Sequence, residues 1–464
     1  MQARGRLVLL CAAFLAILLA LATLSGSPAY AGDVASADVA SEADEALEYW
    51  TPQRLREARP LESRQPVGSS DPGALPASKA ARPSYVRGSE TGNSGRLRLR
   101  SGTVGSGGDG DASASGHVPF AIRSVADTAA YPHRTHGKVF GSLPGFGDFA
   151  CSATVVPGNT QSTVMTAAHC VYEQGSGFAS NWVFVPGYND GATPHGMWPA
   201  DRLAAAKGFV RNDQNVNYDV GAAELAHDSS GRGVEEVVGS RGIAFNQLRD
   251  QIIHAYGYPA EPAPGLPFDG ELLWTCESGY GGDDPASLGF SGPQTLLIGC
   301  PMTGGSSGGG WVVGEEGSGS GFVESVNSYG YPDEPEHLYG SYFGNEARKV
   351  WVAAQDSCRG RLATLRGTEG DDRIVGTPAA DVIVAKGGAD IVNGRGGNDR
   401  ICGGDDADKL RGKGGKDKLD GGNGPDRLAG GRGRDGLNGG GGRDKCNGGA
   451  GRDTQKSCEK ARRI

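Results

Sequence analysis

Hydrophobic and polar positions change rhythm along the chain. Residues 7–24 are almost continuously apolar, from Leu7 to Leu24, behind Arg4 and Arg6. A polar stretch poor in aromatics then runs to about residue 118. From 119 to 356, short apolar runs such as SATVV, NWVFVPGY, DVGAAEL, QTLLIGC and GFVESVNSYGY alternate with Gly, Pro, Asn and Asp. Runs of that length between turn residues predict strands with few helices, hence an all-β domain of sandwich or barrel type. Beyond Cys358 the rhythm lengthens again, to one aliphatic position in nine.

That last rhythm is strict. Asp372, Asp381, Asp390, Asp399, Asp408, Asp417, Asp426, Asp435, Asp444 and Asp453 stand nine residues apart. Two residues after each come Ile374, Ile383, Val392, Ile401, Leu410, Leu419, Leu428, Leu437, Cys446 and Gln455. Glycines fill most positions two and five before the Asp, as in GGNGPDRLA. The segment resembles the RTX-type parallel β-rolls, whose unit reads G-G-x-G-x-D-x-U-x. Glycine turns would set carbonyls and an Asp carboxylate around a hard cation, and a three-residue strand would turn one aliphatic side chain inward. The resemblance implies that Ca2+ is bound by these ten aspartates and supplies much of the folding energy. A flexible Gly-rich spacer would not hold Asp and aliphatic residues in register. Lys and Arg about equal the acidic residues in the array, and Ala379, Ala385 and Asp406 interrupt its glycine pattern.

Composition divides the rest. The 464 residues include 79 glycines and carry a formal net charge of −9. The apolar run after Arg4 and Arg6 ends near Ala29-Tyr30-Ala31, the pattern of a cleaved export signal over 1–31. Cys11 has no Gly or Ala before it, which argues against a lipoprotein anchor, and no later segment is apolar enough to span a bilayer. Residues 32–118, rich in Ala, Ser, Gly, Pro and charge with RLRLR near position 100, read as a propeptide or disordered leader. The expectation is a secreted, extracellular protein with no stable membrane insertion. Eight cysteines remain after the signal, an even set suited to disulfides in an oxidising compartment. Block 119–356 has roughly twice as many carboxylates as basic side chains, so nucleic acid is not an expected partner.

Chemistry concentrates in three places. His169 in TAAHC ends an apolar run, and Cys151, 19 residues before Cys170, is placed to bridge it and hold His169 rigidly. A catalytic base requires such fixing. Asp219 heads DVGAAEL, while Asp213, the competing carboxylate, has no apolar strand directly after it. CPMTGGSSGGGW, residues 300–311, offers Ser306 and Ser307 in overlapping G-x-S-x-G registers. A nucleophile elbow of the α/β-hydrolase kind needs a later histidine and alternating strands and helices; only His337 follows, and the helices are missing.

TAAHC, NYDVGAAEL and GGSSGG, in that order, resemble the chymotrypsin-like serine endopeptidases across roughly residues 130–350. The texture is that of the secreted bacterial branch that includes glutamyl endopeptidases. The resemblance implies a two-barrel fold with His169 as general base, Asp219 orienting it and Ser307 as nucleophile, Ser306 being the alternative. The N–H groups of Gly305 and Ser307 would form the oxyanion hole, with glycine at 305 permitting the positive φ required. Cys276 and Cys300 would tie the segment before the nucleophile to its loop. Ser306 and Gly310 depart from an Asp and a Pro common elsewhere in the family, and Asn327 stands near the position where glutamyl endopeptidases carry a histidine. SVNSYGY, residues 325–331, would hydrogen-bond the substrate backbone.

The organisation expected is thus a signal (1–31), a leader (32–118), a protease domain (119–356), a linker (357–366), a β-roll (367–456) and a tail (457–464). Cys446 and Cys458 are placed to staple the last turns, which leaves Cys358 and Cys402 by elimination. The function expected is hydrolysis of protein or peptide substrates through an acyl-enzyme; a non-catalytic secreted binding or adhesion protein is the alternative. Oligomeric state, side-chain preference and the propeptide cut are not encoded legibly.

Overall fold

The computed structural model describes residues 29–31, 34–61, 81–90, 99–104, 118–211, 215–315, 320–359, 361–368 and 370–462. Most of the export signal, much of the leader including most of RLRLR, and the alternative carboxylate Asp213 lie outside the described residues. Strand β1 (Val34–Asp38) and helices α1 (Ala43–Tyr49) and α2 (Pro52–Glu57) come first, then strand β2 (Phe120–Ser124). Six strands follow: β3 (His136–Leu143), β4 (Gly147–Val156), β5 (Thr163–Thr166), β6 (Ser180–Pro186), β7 (Trp198–Ala206) and β8 (Gly221–Leu225). Strand β7 pairs with both β6 and β8, closing them into a barrel in the order β6-β3-β4-β5-β8-β7.

A second barrel is built from β9 (Gly242–Phe245), β10 (Ile252–Gly257), β11 (Trp274–Asp283), β12 (Leu296–Gly299), β13 (Gly310–Val313), β14 (Phe322–Tyr329) and β15 (His337–Gly340). Its closed order is β13-β10-β11-β12-β15-β14, with β9 and β2 added outside it. The apolar runs of the sequence supply the cores: Val139, Val155, Val164, Phe184 and Leu203 in the first, Ile253, Ala255, Ile298 and Trp311 in the second. Helix α3 (Asn345–Ala353) returns to the first barrel, where the Trp351 indole donates to the Pro157 carbonyl at 2.9 Å. The two-barrel, all-β architecture matches the sequence reading.

The leader departs from the disorder its composition suggests. β1 pairs antiparallel with Arg202–Ala206 of β7, on the stretch of that strand beyond its two pairs with β6. Ala35, Trp50, Leu55 and Leu61 are buried in the first core, and the Trp50 indole donates to the Asn181 carbonyl at 2.6 Å. Arg54 and the Tyr49 hydroxyl both bind Asp148. A segment too polar to build a core can still fold by borrowing a strand edge and placing a few large side chains in a neighbour's core.

The repeats form a parallel β-solenoid of two six-stranded sheets, each strand pairing with the one 18 residues later. Alternate nonapeptides therefore lie in opposite sheets. Ile383, Val392, Ile401, Leu410, Leu419, Leu428, Leu437 and Cys446 line the interior between them. Disulfides Cys151–Cys170, Cys276–Cys300, Cys358–Cys402 and Cys446–Cys458 are all present. The third ties the end of the barrel domain to the solenoid, beside ion pairs Arg359–Asp420 at 2.9 Å and Lys386–Asp356 at 3.5 Å.

Because Trp50 is buried where a smaller side chain leaves a void, Trp50→Ala in the full chain is expected to lower stability by about 3–5 kcal/mol. Urea unfolding followed by tryptophan fluorescence checks this; an unchanged midpoint would show that the leader is only draped over the barrel.

Candidate functional site

The site lies between the barrels and is set by strand β4. Cys151 bridges Cys170, fixing the short 3₁₀ turn Ala168–Cys170 that carries His169. The next residue, Ser152, donates its N–H to the Ser307 carbonyl at 2.7 Å and its hydroxyl to the Gly305 carbonyl at 2.9 Å. Thr166 closes the triangle by donating to the Ser152 carbonyl at 2.8 Å. Two adjacent residues of one strand thus hold both the histidine turn and the serine loop.

Asp219 is fully buried and accepts three hydrogen bonds. The His169 backbone N–H reaches Oδ1 at 2.9 Å, His169 Nδ1 reaches Oδ2 at 2.8 Å, and the Ser328 hydroxyl reaches Oδ2 at 2.5 Å. The carboxylate therefore fixes the tautomer with the proton on Nδ1. His169 Nε2 is buried with no hydrogen-bond partner among the described residues. Ser328 went unnoticed in the sequence reading; its only signal was its place in the SVNSYGY strand.

In the serine loop, the Ser306 hydroxyl donates to the Thr303 carbonyl at 2.7 Å. Ser306 and Ser307 both line the adjoining cavity. Gly305 has φ +89°, and a Cβ there would lie 2.7 Å from the Tyr258 carbonyl. Among the described residues, neither the Gly305 nor the Ser307 N–H donates a hydrogen bond. Unpaired N–H groups on buried residues are costly and therefore uncommon, and these two, on Ser307 and two residues before it, suit an incoming oxyanion.

The adjoining cavity of about 340 Å³ is lined by Pro301, Met302, Tyr331 and Leu338 among others, with Glu261, Glu334 and His337 as its ionisable groups. Hydrogen bonds from Tyr339 and then His337 hold Glu334 below the ordinary carboxylate range. Asn327 has no amide hydrogen to spare, since its Nδ2 donates to the Tyr256 and Ser306 carbonyls while its Oδ1 accepts from Trp311. Cys151, His169 and Cys170 bring ligand atoms within 4.8 Å of one another, but both sulfurs are spent in the disulfide and offer no thiolate to a metal.

A second set of groups lies in the solenoid. Each repeat Asp from Asp390 to Asp453 accepts, through Oδ1, the backbone N–H of the Asp 18 residues earlier, at 2.7–3.0 Å. The second oxygens of Asp399, Asp408, Asp417, Asp426, Asp435 and Asp444 are buried without a partner among the described residues. Burial, and after it the neighbouring aspartates, push Asp408 up to about 7 and Asp399, Asp417 and Asp426 to about 6. Glycines 403, 412 and 421 stand where a Cβ would lie 2.1–2.2 Å from those oxygens. Stacked, desolvated, partnerless carboxylate oxygens fit a hard divalent cation. Asp372 and Asp381 differ: Thr368 and Thr377 already donate an N–H and a hydroxyl to their second oxygens.

Residues 366–401, 403–437 and 420–455 match the family described as the RTX calcium-binding nonapeptide repeat. The barrel region is similar to solved proteases. Protease Anisep from Arthrobacter nicotinovorans is 36% identical over 50% of this chain and 99% of its own, with a TM-score of 0.44. A thermostable serine protease, AL20, from an extremophilic microorganism is 40% identical over 48% of this chain and 97% of its own, with a TM-score of 0.42. Among curated proteins, an extracellular metalloprotease of Bacillus subtilis is 31% identical over 102 residues, 22% of this chain and 31% of that protein. A glutamyl endopeptidase of Bacillus licheniformis is 28% identical over 160 residues, 32% of this chain and 46% of that protein. The chain thus spans less than half the length of either curated relative.

Withdrawal of divalent cations by EDTA is expected to abolish amide-hydrogen protection across residues 381–456 while the strands of 119–356 keep theirs. Hydrogen–deuterium exchange with peptide mass spectrometry reads both regions at once; equal protection of the solenoid with and without chelator would remove the cation's structural role.

Proposed function

We propose, for a chain that belongs to the chymotrypsin-like serine proteases and carries RTX calcium-binding nonapeptide repeats, the activity of a secreted serine endopeptidase with Ca2+ held in its C-terminal solenoid. The observation that carries this reading is the pair of bonds from His169 to Asp219, together with the Gly305 and Ser307 N–H groups, unpaired among the described residues. In this reading His169 Nε2 takes the Ser307 hydroxyl proton as Oγ attacks the scissile carbonyl. Asp219 holds the imidazole in place and stabilises its cationic form. The Gly305 and Ser307 N–H groups receive the developing oxyanion, each worth about 3 to 4 kcal/mol in the transition state. Collapse of the tetrahedral species returns the proton to the leaving amine and leaves an acyl-Ser307. Water, activated by the same histidine, then releases the acid. The bond of the Ser306 hydroxyl to the Thr303 carbonyl supports Ser307 over Ser306 in this role.

In the solenoid, Asp399, Asp408, Asp417, Asp426, Asp435 and Asp444 are the strongest candidates to hold calcium. The ion supplies positive charge that lets these carboxylates stay ionised while buried. Export is supported by the signal pattern and by four disulfides.

Fluorophosphonate labelling with peptide mass spectrometry tests the mechanism. Wild type and Ser306→Ala should be labelled on Ser307, and Ser307→Ala should neither be labelled nor cleave casein; unlabelled, inactive wild type in calcium would favour a domain that only binds. Asp219→Asn should lower kcat by about 10⁴ while leaving the fold intact.

Specificity follows from the cavity. Glu261 and Glu334 face it, His337 there is bonded to Glu334, no Lys or Arg is among its described lining residues, and Asn327 has no donor left. Peptides with Leu or Phe before the scissile bond are therefore expected to be cleaved at least about tenfold faster, by kcat/KM, than the same peptides with Glu. A preference for Glu would contradict the electrostatics of this pocket.

A further inference from the structure

The solenoid distributes its charge unequally between its two faces. Three rungs of one sheet, residues 409–416, 427–434 and 445–452, contain nine Lys and Arg and no carboxylate. Three rungs of the opposite sheet, 400–407, 418–425 and 436–443, contain three basic and three acidic residues. On the basic face Lys409, Arg427 and Lys445 stand directly opposite one another in the strand register. Lys416, Arg434 and Arg452 form a second column, each preceding an aspartate of the ladder that runs from Asp417 to Asp453. All six are exposed, and none makes an ion pair or a side-chain hydrogen bond among the described residues.

Like charges stacked on adjacent rungs, about 4.8 Å apart, repel and destabilise a sheet. Among the described residues no carboxylate pairs with these six side chains, and Asp417 and Asp435 of the same turns are buried. Cations aligned in two columns on one face are complementary to a series of anionic groups. The three basic rungs contain no aromatic residue on which a base could stack. Their exposed positions hold no large apolar side chain that could enter a lipid layer. What remains complementary is a flexible chain with a regular series of carboxylate or sulfate groups.

We infer that this face, centred on Lys409, Arg427 and Lys445, binds a linear acidic polysaccharide. Binding would localise the chain on an anionic matrix, and it stands independently of whether the barrel domain is catalytic.

The test uses the full chain with Ser307→Ala, to prevent self-cleavage, in calcium over immobilised dextran sulfate, with neutral dextran as the reference surface. Binding to dextran sulfate alone is expected, and it should weaken by at least about tenfold between roughly 50 and 200 mM salt. Lys409→Gln/Arg427→Gln/Lys445→Gln removes like-charge repulsion without touching the core, and should reduce affinity by about tenfold or more. Lys418→Gln/Arg443→Gln/Lys456→Gln removes the same charge elsewhere on the solenoid and should change affinity by less than about twofold. Circular dichroism in calcium checks that both variants fold. Equal losses in the two variants, no binding to dextran sulfate, or equal binding to neutral dextran would each overturn the inference. So would tighter binding of a short DNA duplex or of phosphatidylserine vesicles to the same face.

Discussion

One strand carries the geometry of the candidate active site. Cys151 and Ser152 are neighbours in β4, and their side chains and amides face different partners, the histidine turn and the serine loop. General-base chemistry tolerates little error in placement, because proton transfer needs hydrogen-bond reach. Loops tethered separately would each add their own motion to the distance between base and nucleophile. Tethering both to consecutive buried residues of one strand, paired along its length with β3, removes most of that relative motion. Asp219 completes the arrangement by binding both the backbone and the ring of His169, so the histidine can neither swing nor flip its tautomer cheaply.

The solenoid meets the opposite problem, since it has little apolar core and much buried charge. Its interior is one aliphatic column per sheet, closed by turns in which glycines let carboxylates approach the backbone. Those carboxylates are desolvated and stacked on each other, which raises their proton affinity toward neutrality. Such a column is stable only if protons or cations neutralise it, and at neutral pH a divalent cation is the better counter-charge. The same logic explains the first turns. Asp372 and Asp381 obtain neutral donors from Thr368 and Thr377 instead, so the first turns have less need of an ion than the later ones.

Legibility in the sequence followed locality. His169, Asp219 and Ser307 could be nominated because each sits in a short motif whose residue types the proposed chemistry requires, and the nine-residue spacing of the aspartates states the solenoid's period outright. The all-β reading succeeded because alternating strands and turns leave a short-range pattern. Ser328 was not legible as a site component, nor was the hydrogen-bonding role of Asn327, since their partners, Asp219 and Ser306, lie far away in sequence. The ordered leader escaped for a related reason. Composition measures whether a segment can form its own core, and residues 34–61 fold instead on a strand edge and a cavity that the first barrel supplies. The Thr caps at the first two repeats were visible as letters, but only the fold shows that their hydroxyls occupy the oxygens left open in later repeats.

The junction between the two parts gives the charge pattern a use. The barrel block is acidic, whereas one face of the solenoid is wholly basic. On a long flexible tether, that face would tend to fold back on the barrels and be neutralised there. The connection is instead short and cross-linked. Cys358 is bonded to Cys402, Lys386 meets the buried Asp356, and Arg359 pairs with Asp420. These contacts engage the balanced sheet, at residues 386, 402 and 420, while the basic rungs lie in the other sheet. A disulfide and two ion pairs thus fix the solenoid by its balanced side, and the unneutralised cations are left available to a partner rather than to the barrels.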